Sequence, residues 1–290
     1  MTRNAQPLTA FQRFRRIPLI HRIDARFYHV MDWFMTTVLS KPLVTKTALG
    51  FVLAAPRHKT FQKMRSGVFE EEEIDIFRTL LANCDVFIDV GANVGYYTCL
   101  AMQKDKKVIA FEPQVRNVNL LSETLAHNGW SDRVEVFPIA LGEKISFLPL
   151  FGASSLSASL VKSWAGYGAR HSQQVPVNTL DNVLSGRFKD QRLIIKVDVE
   201  GAEIGVLRGA IATLARSPKP VWLIEICFNE FHPQGMNPDF VETFKMFFDN
   251  GYICYCADDS KQPIALHDIL EWVANGKRGV GTFNYVFTGQ

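Results

Sequence analysis

The stretch DVFIDVGANVG, residues 85–95, decides the fold prediction. It begins as a short apolar run and ends in a glycine turn with G-x-x-x-G spacing between Gly91 and Gly95. The residues that follow, YYTCLAMQK, repeat apolar side chains at helical spacing. A buried strand, a tight turn and a helix are therefore predicted in that order, which is the unit from which parallel α/β sheets are built.

The same alternation continues along the chain. Strands are predicted at 107–113, 133–141, 192–201 and 220–228, and helices at 115–128, 204–215 and 238–250. Near-continuous apolar strands are typical of a parallel sheet covered by helices on both faces. Further on, YICYCADD and FNYVFTG flank a short helical stretch, and no helix follows the second of them. An antiparallel closing strand is predicted there.

The segment between Phe147 and Val177 breaks this pattern. It is rich in Gly, Ser and Ala, with Trp164 and Tyr167 as its large side chains. One interpretation is a mobile or substrate-facing excursion, and the other is a strand pair joined by a plain surface loop.

Charge divides the chain unevenly. The net charge is +3, yet residues 1–65 hold twelve Lys and Arg against two Asp, so the remainder is acidic. A basic head interleaved with aromatics can face anionic lipid, nucleic acid or an acidic glycan, or it can be the solvated face of a packing helix. We interpret residues 1–67 as a basic, mainly helical N-terminal extension and residues 68–290 as one α/β domain.

Cysteine usage and hydropathy predict a cytoplasmic protein. The five cysteines are odd in number and lack a C-x-x-C pair, which favours buried, reduced thiols. Cys254 and Cys256 have no second Cys or His pair nearby, so a metal site there is disfavoured. Neither a signal peptide nor an uninterrupted membrane span is predicted.

The glycine turn indicates a ligand that carries adenosine. Asp89, Gly91, Asn93 and Gly95 lie where main-chain N–H groups at a helix N-terminus can approach a ligand, and Gly or Asn tolerates the positive φ this requires. Glu112 ends the second strand, where a carboxylate can accept both ribose hydroxyls. The G-x-G-x-x-G fingerprint of nicotinamide cofactors is absent from this turn.

Two further strand ends add candidate residues. Ile139 and Ala140 follow the third strand on the adenine side of the crevice, although a plain buried strand would have the same sequence. In KVDVEGAE, residues 196–203, Asp198 and Glu200 should face the crevice, because acids at a core strand end are costly unless they meet a ligand, metal or partner. Glu203 can instead serve the dipole of the next helix.

The sequence resembles the FkbM-type methyltransferases. The resemblance is carried by the motifs FIDVGANVGYYT, FEP, IALGE, SSL (154–156), VNTLDNVL (177–184), KVDVEGAEIGVLRGA and LIEI, which together span about 68–290. It implies a class I methyltransferase fold, with a Rossmann-like, mostly parallel sheet, and O-methylation with S-adenosylmethionine as donor. The predicted donor-binding residues are Asp89, Gly91, Ala92, Asn93, Gly95, Glu112, Pro113, Ile139, Ala140 and Asp198.

Methyl transfer to an alcohol needs alignment and is assisted by a base. The candidate catalytic residues are Asp198, Glu200, Glu225, which ends the neighbouring strand, and His232. Asp198 with Glu225 can alternatively hold a divalent cation. We predict transfer without a metal, because no denser acidic cluster is present in the sequence.

The leading hypothesis is a methyltransferase acting on a hydroxyl of a sugar, a glycan or glycolipid, or a related small molecule. One alternative is an RNA or nucleotide methyltransferase docked by the basic extension, which the acidic body disfavours. Another is a non-catalytic nucleotide-binding adaptor. Residues 1–65 are also a candidate for peripheral contact with anionic membrane. The sequence specifies neither the acceptor nor the oligomeric state.

Overall fold

A computed structural model describes residues 42–152, 157–166 and 172–289. The strands in these residues are β1 (Leu43–Lys46), β2 (Val52–Ala55), β3 (Val86–Val90), β4 (Lys107–Phe111), β5 (Val134–Phe137), β6 (Ala140–Leu141), β7 (Ser146–Phe151), β8 (Ser172–Asn178), β9 (Leu193–Val197), β10 (Val221–Glu225), β11 (Tyr252–Cys256), β12 (Pro263–Ile264) and β13 (Asn284–Gly289). The helices are α1 (Lys59–Ser66), α2 (Glu71–Leu81), α3 (Tyr96–Met102), α4 (Val115–His127), α5 (Leu180–Leu184), α6 (Glu203–Arg208), α7 (Ile211–Ala215), α8 (Phe240–Asp249) and α9 (Leu266–Asn275), with a 3₁₀ turn at Trp164–Gly166.

The central sheet has the order β12-β11-β13-β10-β9-β3-β4-β5. Strands β10, β9, β3, β4 and β5 are parallel to one another, and β13 inserts antiparallel between β10 and β11. Side chains alternate along β3, so Phe87 packs with α2 and α3 whereas Val86 and Ile88 pack on the opposite face. The predicted Rossmann-like α/β architecture, with helices on both faces and an antiparallel closing strand, is confirmed.

The strand predicted at 133–141 is two strands in different sheets. β5 ends at Phe137, and β6 begins at Ala140 in a separate three-stranded sheet of order β6-β8-β7. Pro138 lies between them and has no N–H to donate to a ladder, so the strand breaks there. The prediction of one continuous strand was wrong for this reason.

The helix predicted at 204–215 is also divided, into α6 and α7. A Cβ atom on Gly209 would lie 2.1 Å from the carbonyl oxygen of Gly142, so another segment crosses the chain at this point. The carboxylate of Asp181 accepts hydrogen bonds from the N–H groups of Ala212 and Thr213, both at 2.8 Å. These contacts satisfy the first amides of α7 from outside, so the helix starts anew.

The irregular segment 147–177 contains a strand pair. β7 and β8 are antiparallel, with Ser146 opposite Val177 and Phe151 opposite Ser172. Of the two interpretations of this segment, the strand pair is therefore observed. Residues 153–156 and 167–171, which include the SSL motif and Tyr167, lie outside the described residues.

Residues 42–67 were predicted as part of a mainly helical extension, but they form the β1–β2 hairpin and α1. The N–H of Ala54 donates to Thr124 of α4 at 3.0 Å, and Phe51 and Phe61 are buried in the same apolar cluster as Phe87. This part therefore belongs to the body of the α/β unit. Residues 1–41, which carry most of the predicted basic head and its membrane contact, lie outside the described residues.

Two further observations concern the helices and the thiols in the part of the chain that the structure describes. None of its helices combines the length and apolarity needed to cross a bilayer. All five cysteines are buried and free.

Candidate active site

Main-chain contacts fix the turn that joins β3 to α3, residues 91–95. Gly91 has φ +89°, and a Cβ atom there would lie 1.9 Å from the carbonyl oxygen of Asp198. The N–H groups of Gly91 and Ala92 both donate to the carbonyl of Phe111 at 2.9 Å, and the N–H of Asp198 donates to Val90 at 3.0 Å. The turn is wedged between the ends of β4 and β9, in a space that only glycine fits.

Glu112 braces the far side of this turn. Its Oε2 accepts from the N–H of Asn93 and its Oε1 from the N–H of Gln114, both at 2.8 Å. Burial raises the pKa of Glu112 to about 7, against the opposing effect of these two hydrogen bonds. Asn93 has φ +51°, and its side-chain Oδ1 is buried without a hydrogen-bond partner. The turn thus presents one unused acceptor beside the carboxylate that was predicted to meet a ribose.

Asp89 acts inside the sheet. Its Oδ2 accepts from the hydroxyl of Thr98 at 2.6 Å, which ties β3 to α3. Burial raises the pKa of Asp89 to about 6, although Thr98 and the ammonium of Lys196 oppose the shift. The buried side chain of Asp89 thus holds together the two elements that flank the turn.

Lys196 is a buried cation in the centre of the site. Its Nζ lies 2.9 Å from Oδ2 of Asp198, 3.7 Å from Oε1 of Glu73 and 4.4 Å from the ring centroid of Tyr97. Burial alone would lower the pKa of Lys196, but the carboxylates of Asp198, Glu73 and Glu70 outweigh it and raise the pKa well above its usual value. Lys196 therefore stays charged and orients the Asp198 carboxylate.

Three more carboxyl groups surround this ion pair. Burial, reinforced by Asp198, raises the pKa of Glu200 to about 7 and that of Glu225 well above its usual range. For Glu203 burial raises the pKa to about 8, opposed by a 2.8 Å hydrogen bond from the N–H of Gly201. Glu203 accordingly holds a proton at neutral pH, and Asp198 is the acid of this group that is paired with a cation.

The predicted base His232 is hydrogen-bonded to the backbone of its own loop. Its Nδ1 accepts from the N–H of Gln234 at 3.3 Å, so the neutral ring carries its proton on Nε2. Burial lowers the pKa of His232 from 6.5. The ring packs edge-on against Trp164 at 6.0 Å between centroids, and the Trp164 indole donates to Oε2 of Glu200 at 2.7 Å. The side chains of His232 and Glu200 are therefore both hydrogen-bonded to other groups of the protein.

The remaining residues that were predicted for the donor site differ from one another in how deeply they are buried. Ala140 is buried in the core of the three-stranded sheet and Ala92 in the apolar cluster under β3, whereas Pro113 and Ile139 are half-buried. Phe137 ends the strand that was predicted to reach the adenine side but was not among the residues predicted for the donor site. Its ring stacks on Phe111 at 5.2 Å, and its carbonyl accepts the N–H of Glu112 at 3.1 Å.

Comparison with known proteins identifies the family. The methyltransferase FkbM domain matches residues 89–254. This chain belongs to the FkbM methyltransferase family. Two curated relatives are hexuronic acid methyltransferase AglP of Haloferax volcanii, 30% identical over 47% of this chain, and methyltransferase sdnD of Sordaria araneosa, 29% identical over 42%. The match covers 56% and 59% of the lengths of these relatives.

Solved structures similar to this FkbM-family chain include two methyltransferases. The FkbM methyltransferase of Methylobacillus flagellatus has a TM-score of 0.42 and 15% identity, with 71% of this chain and 44% of that chain covered. The SAH-bound Podospora anserina methyltransferase PaMTH1 has a TM-score of 0.40 and 11% identity, with 99% of both chains covered.

Sequence reasoning on this FkbM-family chain missed the buried network around Lys196. Glu73, in the first turn of α2, is buried, and its Oε1 faces the ammonium of Lys196. A lysine inside the apolar run LIIKV was the available signal, because a buried charge requires a partner. Within 42–152, 157–166 and 172–289, no group of three or more His, Cys, Asp and Glu has the arrangement of a metal site.

Proposed function

We propose that this protein transfers a methyl group from S-adenosylmethionine to a hydroxyl oxygen of a sugar, a glycan or glycolipid, or a related small molecule. The observation that carries the proposal is the 91–95 turn, with the unpartnered Oδ1 of Asn93 beside Glu112. Open α/β sheets bind ligands at this edge, outside the carboxyl ends of their strands. Membership of the FkbM family supports methyl transfer, and the name of the distant relative AglP supports a sugar-type acceptor.

The residues around the turn fit an adenosine-bearing donor. Asn93 offers a buried acceptor, Glu112 a carboxylate, and Phe137 an aromatic ring at the same strand edge. Asp89 bonds to Thr98 behind the turn, and Gly91 allows the turn to pack against the carbonyl of Asp198. S-adenosylmethionine, when bound, supplies an electrophilic methyl group on a sulfonium.

Asp198 is the group we assign to the acceptor proton. Its side chain is 31% exposed and its orientation is held by Lys196, so a hydroxyl can reach a carboxylate of fixed direction. Glu203, with its pKa raised to about 8 by burial, already holds a proton at neutral pH, and burial also raises the pKa of Glu225 well above its usual range. Lys196 already supplies positive charge at 2.9 Å, and we therefore propose transfer without a divalent cation. Activity abolished by a chelator and restored by magnesium would contradict this last point.

Donor binding is tested by calorimetry with S-adenosylhomocysteine. Asn93→Gly keeps the backbone conformation but removes Oδ1, and Glu112→Ala removes the brace. Each should weaken affinity at least about tenfold, or about 1.4 kcal/mol. Glu123→Ala, on the exposed side of α4, is the matched control. Unchanged affinity in both site variants would show that the donor site lies elsewhere.

Chemistry is tested with methyl-labelled donor and glycan and lipid fractions from cells with and without the protein, analysed by mass spectrometry for the loss of one methyl group. Asp198→Asn should lower kcat by about a hundredfold or more, the usual scale for a general base. Label appearing in RNA and absent from glycan and lipid would reverse the choice of acceptor.

A further inference from the structure

Residues 157–166, which we name the strap, are held at both ends against the candidate site. At one end, Ser159 and Phe151 of β7 exchange two main-chain hydrogen bonds, at 2.8 and 3.0 Å. At the other end, the N–H of Ala165 donates to the carbonyl of Phe231 at 2.9 Å, in the segment that follows β10. The strap therefore runs from the small sheet to the loop beyond Glu225.

Trp164, next to Ala165, anchors the strap and is 1% exposed. Its ring fills the space where Gly201 lacks a side chain, because a Cβ atom on Gly201 would lie 2.3 Å from Cζ3 of Trp164. Gly201 also has φ +91°, so the backbone and the cavity both require glycine here. The KVDVEGAE turn is thus shaped to receive this indole.

Glu200 makes polar contacts to the strap with its side chain and its backbone. The Trp164 indole N–H donates to Oε2 of Glu200 at 2.7 Å, and the Ser159 hydroxyl donates to the Glu200 carbonyl at 2.5 Å. Glu200 has φ +57°, a left-handed conformation that is uncommon outside glycine. Its carboxylate is directed toward the strap by an unusual backbone.

The charged groups around Glu200 determine the pH at which its hydrogen bond with the Trp164 indole becomes strong. Burial and the charge of Asp198 raise the pKa of Glu200 to about 7, against the opposing effect of hydrogen bonds from Trp164 and Ser157 and of the charge of Lys196. The charge of Glu200 in turn raises the pKa values of Glu203 and Glu225, and His232 packs against Trp164. Above pH 7 the carboxylate is ionised, and an ionised acceptor binds an N–H more strongly.

We propose that Glu200 is a positioning residue that fixes the strap, through Trp164, as the acceptor-side wall of the crevice. This wall includes Phe231, a residue that is 55% exposed and whose ring centroid lies 6.2 Å from that of Trp164. The proposal rests on the proposed function. Of the acids predicted from the sequence as catalytic candidates, it assigns Glu200 to the acceptor pocket and not to proton transfer. Glu200 then affects how the acceptor is held, and Asp198 acts on its proton.

The hydrogen bond between the Trp164 indole and Glu200 is tested by NMR of protein labelled with ¹⁵N at the tryptophan indoles. The Trp164 signal, assigned by its loss in Trp164→Phe, should titrate with a midpoint near 7, and Glu200→Gln should abolish the titration. Trp222 is an internal control, since its indole contacts the Tyr252 hydroxyl at 3.3 Å, whose pKa is raised to about 12 by burial. His232→Gln should leave the midpoint in place. A Trp164 signal that stays flat, or that still titrates in Glu200→Gln, overturns the bond.

The role is tested by separating donor from acceptor effects. Affinity for S-adenosylhomocysteine should stay within twofold in Glu200→Gln and Trp164→Phe. With labelled donor and a glycan–lipid extract, the half-saturating extract concentration should rise at least fivefold while the maximal rate stays within twofold.

The opposite pattern, a maximal rate lowered a hundredfold at unchanged half-saturation in Glu200→Gln, would make Glu200 the base and overturn the proposal. A tenfold loss of S-adenosylhomocysteine affinity in Glu200→Gln would assign it to the donor site and also overturn it. If the wild-type protein binds no S-adenosylhomocysteine, the proposed function fails, and the Trp164 titration still decides whether Glu200 fixes the strap.

Discussion

At Gly91 the ends of β3, β4 and β9 approach so closely that no room is left for a methyl group. The carbonyl of Asp198 occupies the position a Cβ atom would take, and the carbonyl of Phe111 accepts the Gly91 N–H. The same contact sets the distance between the turn and the first acid of the KVDVEGAE segment. A single residue therefore links the glycine turn to Asp198, the group that we propose takes the acceptor proton.

Gly91→Ala should destabilise the protein for two reasons, the positive φ and the collision with Asp198. Gly129→Ala is its matched control, because Gly129 has φ +70° and nothing lies within 4 Å of the position that its Cβ atom would take. The control should lose about 1–3 kcal/mol from backbone strain alone. Gly91→Ala should lose more, as measured by urea unfolding. Equal losses in the two variants would mean that the close approach is unimportant.

Single residues were predicted correctly where the local sequence shows which backbone conformation a residue must adopt. Gly91 and Asn93 were predicted from the turn that a strand and helix require, and both have positive φ. The partners of Lys196 and Glu200 were not predicted, because Glu73 and Trp164 lie far away in sequence and nothing local connects them. Their pairing depends on which strands become neighbours.

Among the elements, α2 and α3 are joined by a buried hydroxyl between two acids. The Tyr97 hydroxyl oxygen lies 2.6 Å from Oε1 of Glu73 and 2.8 Å from Oε2 of Glu70. A hydroxyl carries one proton, so two such short contacts require a second proton on one of the carboxyls. Burial, with Glu73 reinforcing it, raises the pKa of Glu70 to about 8, which supplies that proton.

Tyr97→Phe should weaken the joint between these helices by about 1–3 kcal/mol, since it leaves buried carboxyls without their shared partner. Tyr96→Phe is an adjacent control, because the Tyr96 hydroxyl is buried with no hydrogen-bond partner. Its loss should be neutral or stabilising. Thermal unfolding of both variants measures the difference, and a Tyr96→Phe variant that is destabilised as much would contradict the assignment.

Element boundaries were the weaker part of the sequence prediction. Hydrophobic periodicity placed α4 at 115–128, and the helix spans Val115–His127. It could not divide 204–215, because that break depends on Gly142 and Asp181 arriving from other elements. Periodicity reports the face that an element buries, whereas its ends are set by which amides find partners elsewhere.

For the molecule as a whole, the buried acids make stability depend on pH in an unusual direction. Burial raises the folded-state pKa of Asp89 to about 6, of Glu112 to about 7 and of Glu203 to about 8. At these three groups the folded state then holds more protons than the unfolded chain above about pH 4. Stability from these groups is complete below their unfolded pKa values and is lost as pH rises through the folded values.

We therefore expect the free energy of unfolding of the unliganded protein to fall between about pH 4.5 and 8, with each buried acid contributing up to about 1.4 kcal/mol per pH unit. Glu203→Gln removes one titrating group and can still accept from Gly201. It should match wild type near pH 4.5 and exceed it by more than about 1 kcal/mol at pH 8, in urea titrations at both pH values. Glu123→Gln, on exposed α4, should show no such crossover. A parallel pH profile for Glu203→Gln would contradict the burial of its proton.

The position of β13 has a consequence for synthesis on the ribosome. β10 and β11 are separated in the sheet by a strand that follows both in the chain, and β13 pairs with each of them. During translation, β10 therefore keeps an open edge until residues 284–289 have emerged. Since an unpaired strand edge is a template for pairing with another chain, nascent chains arrested before this point are expected to be the aggregation-prone species.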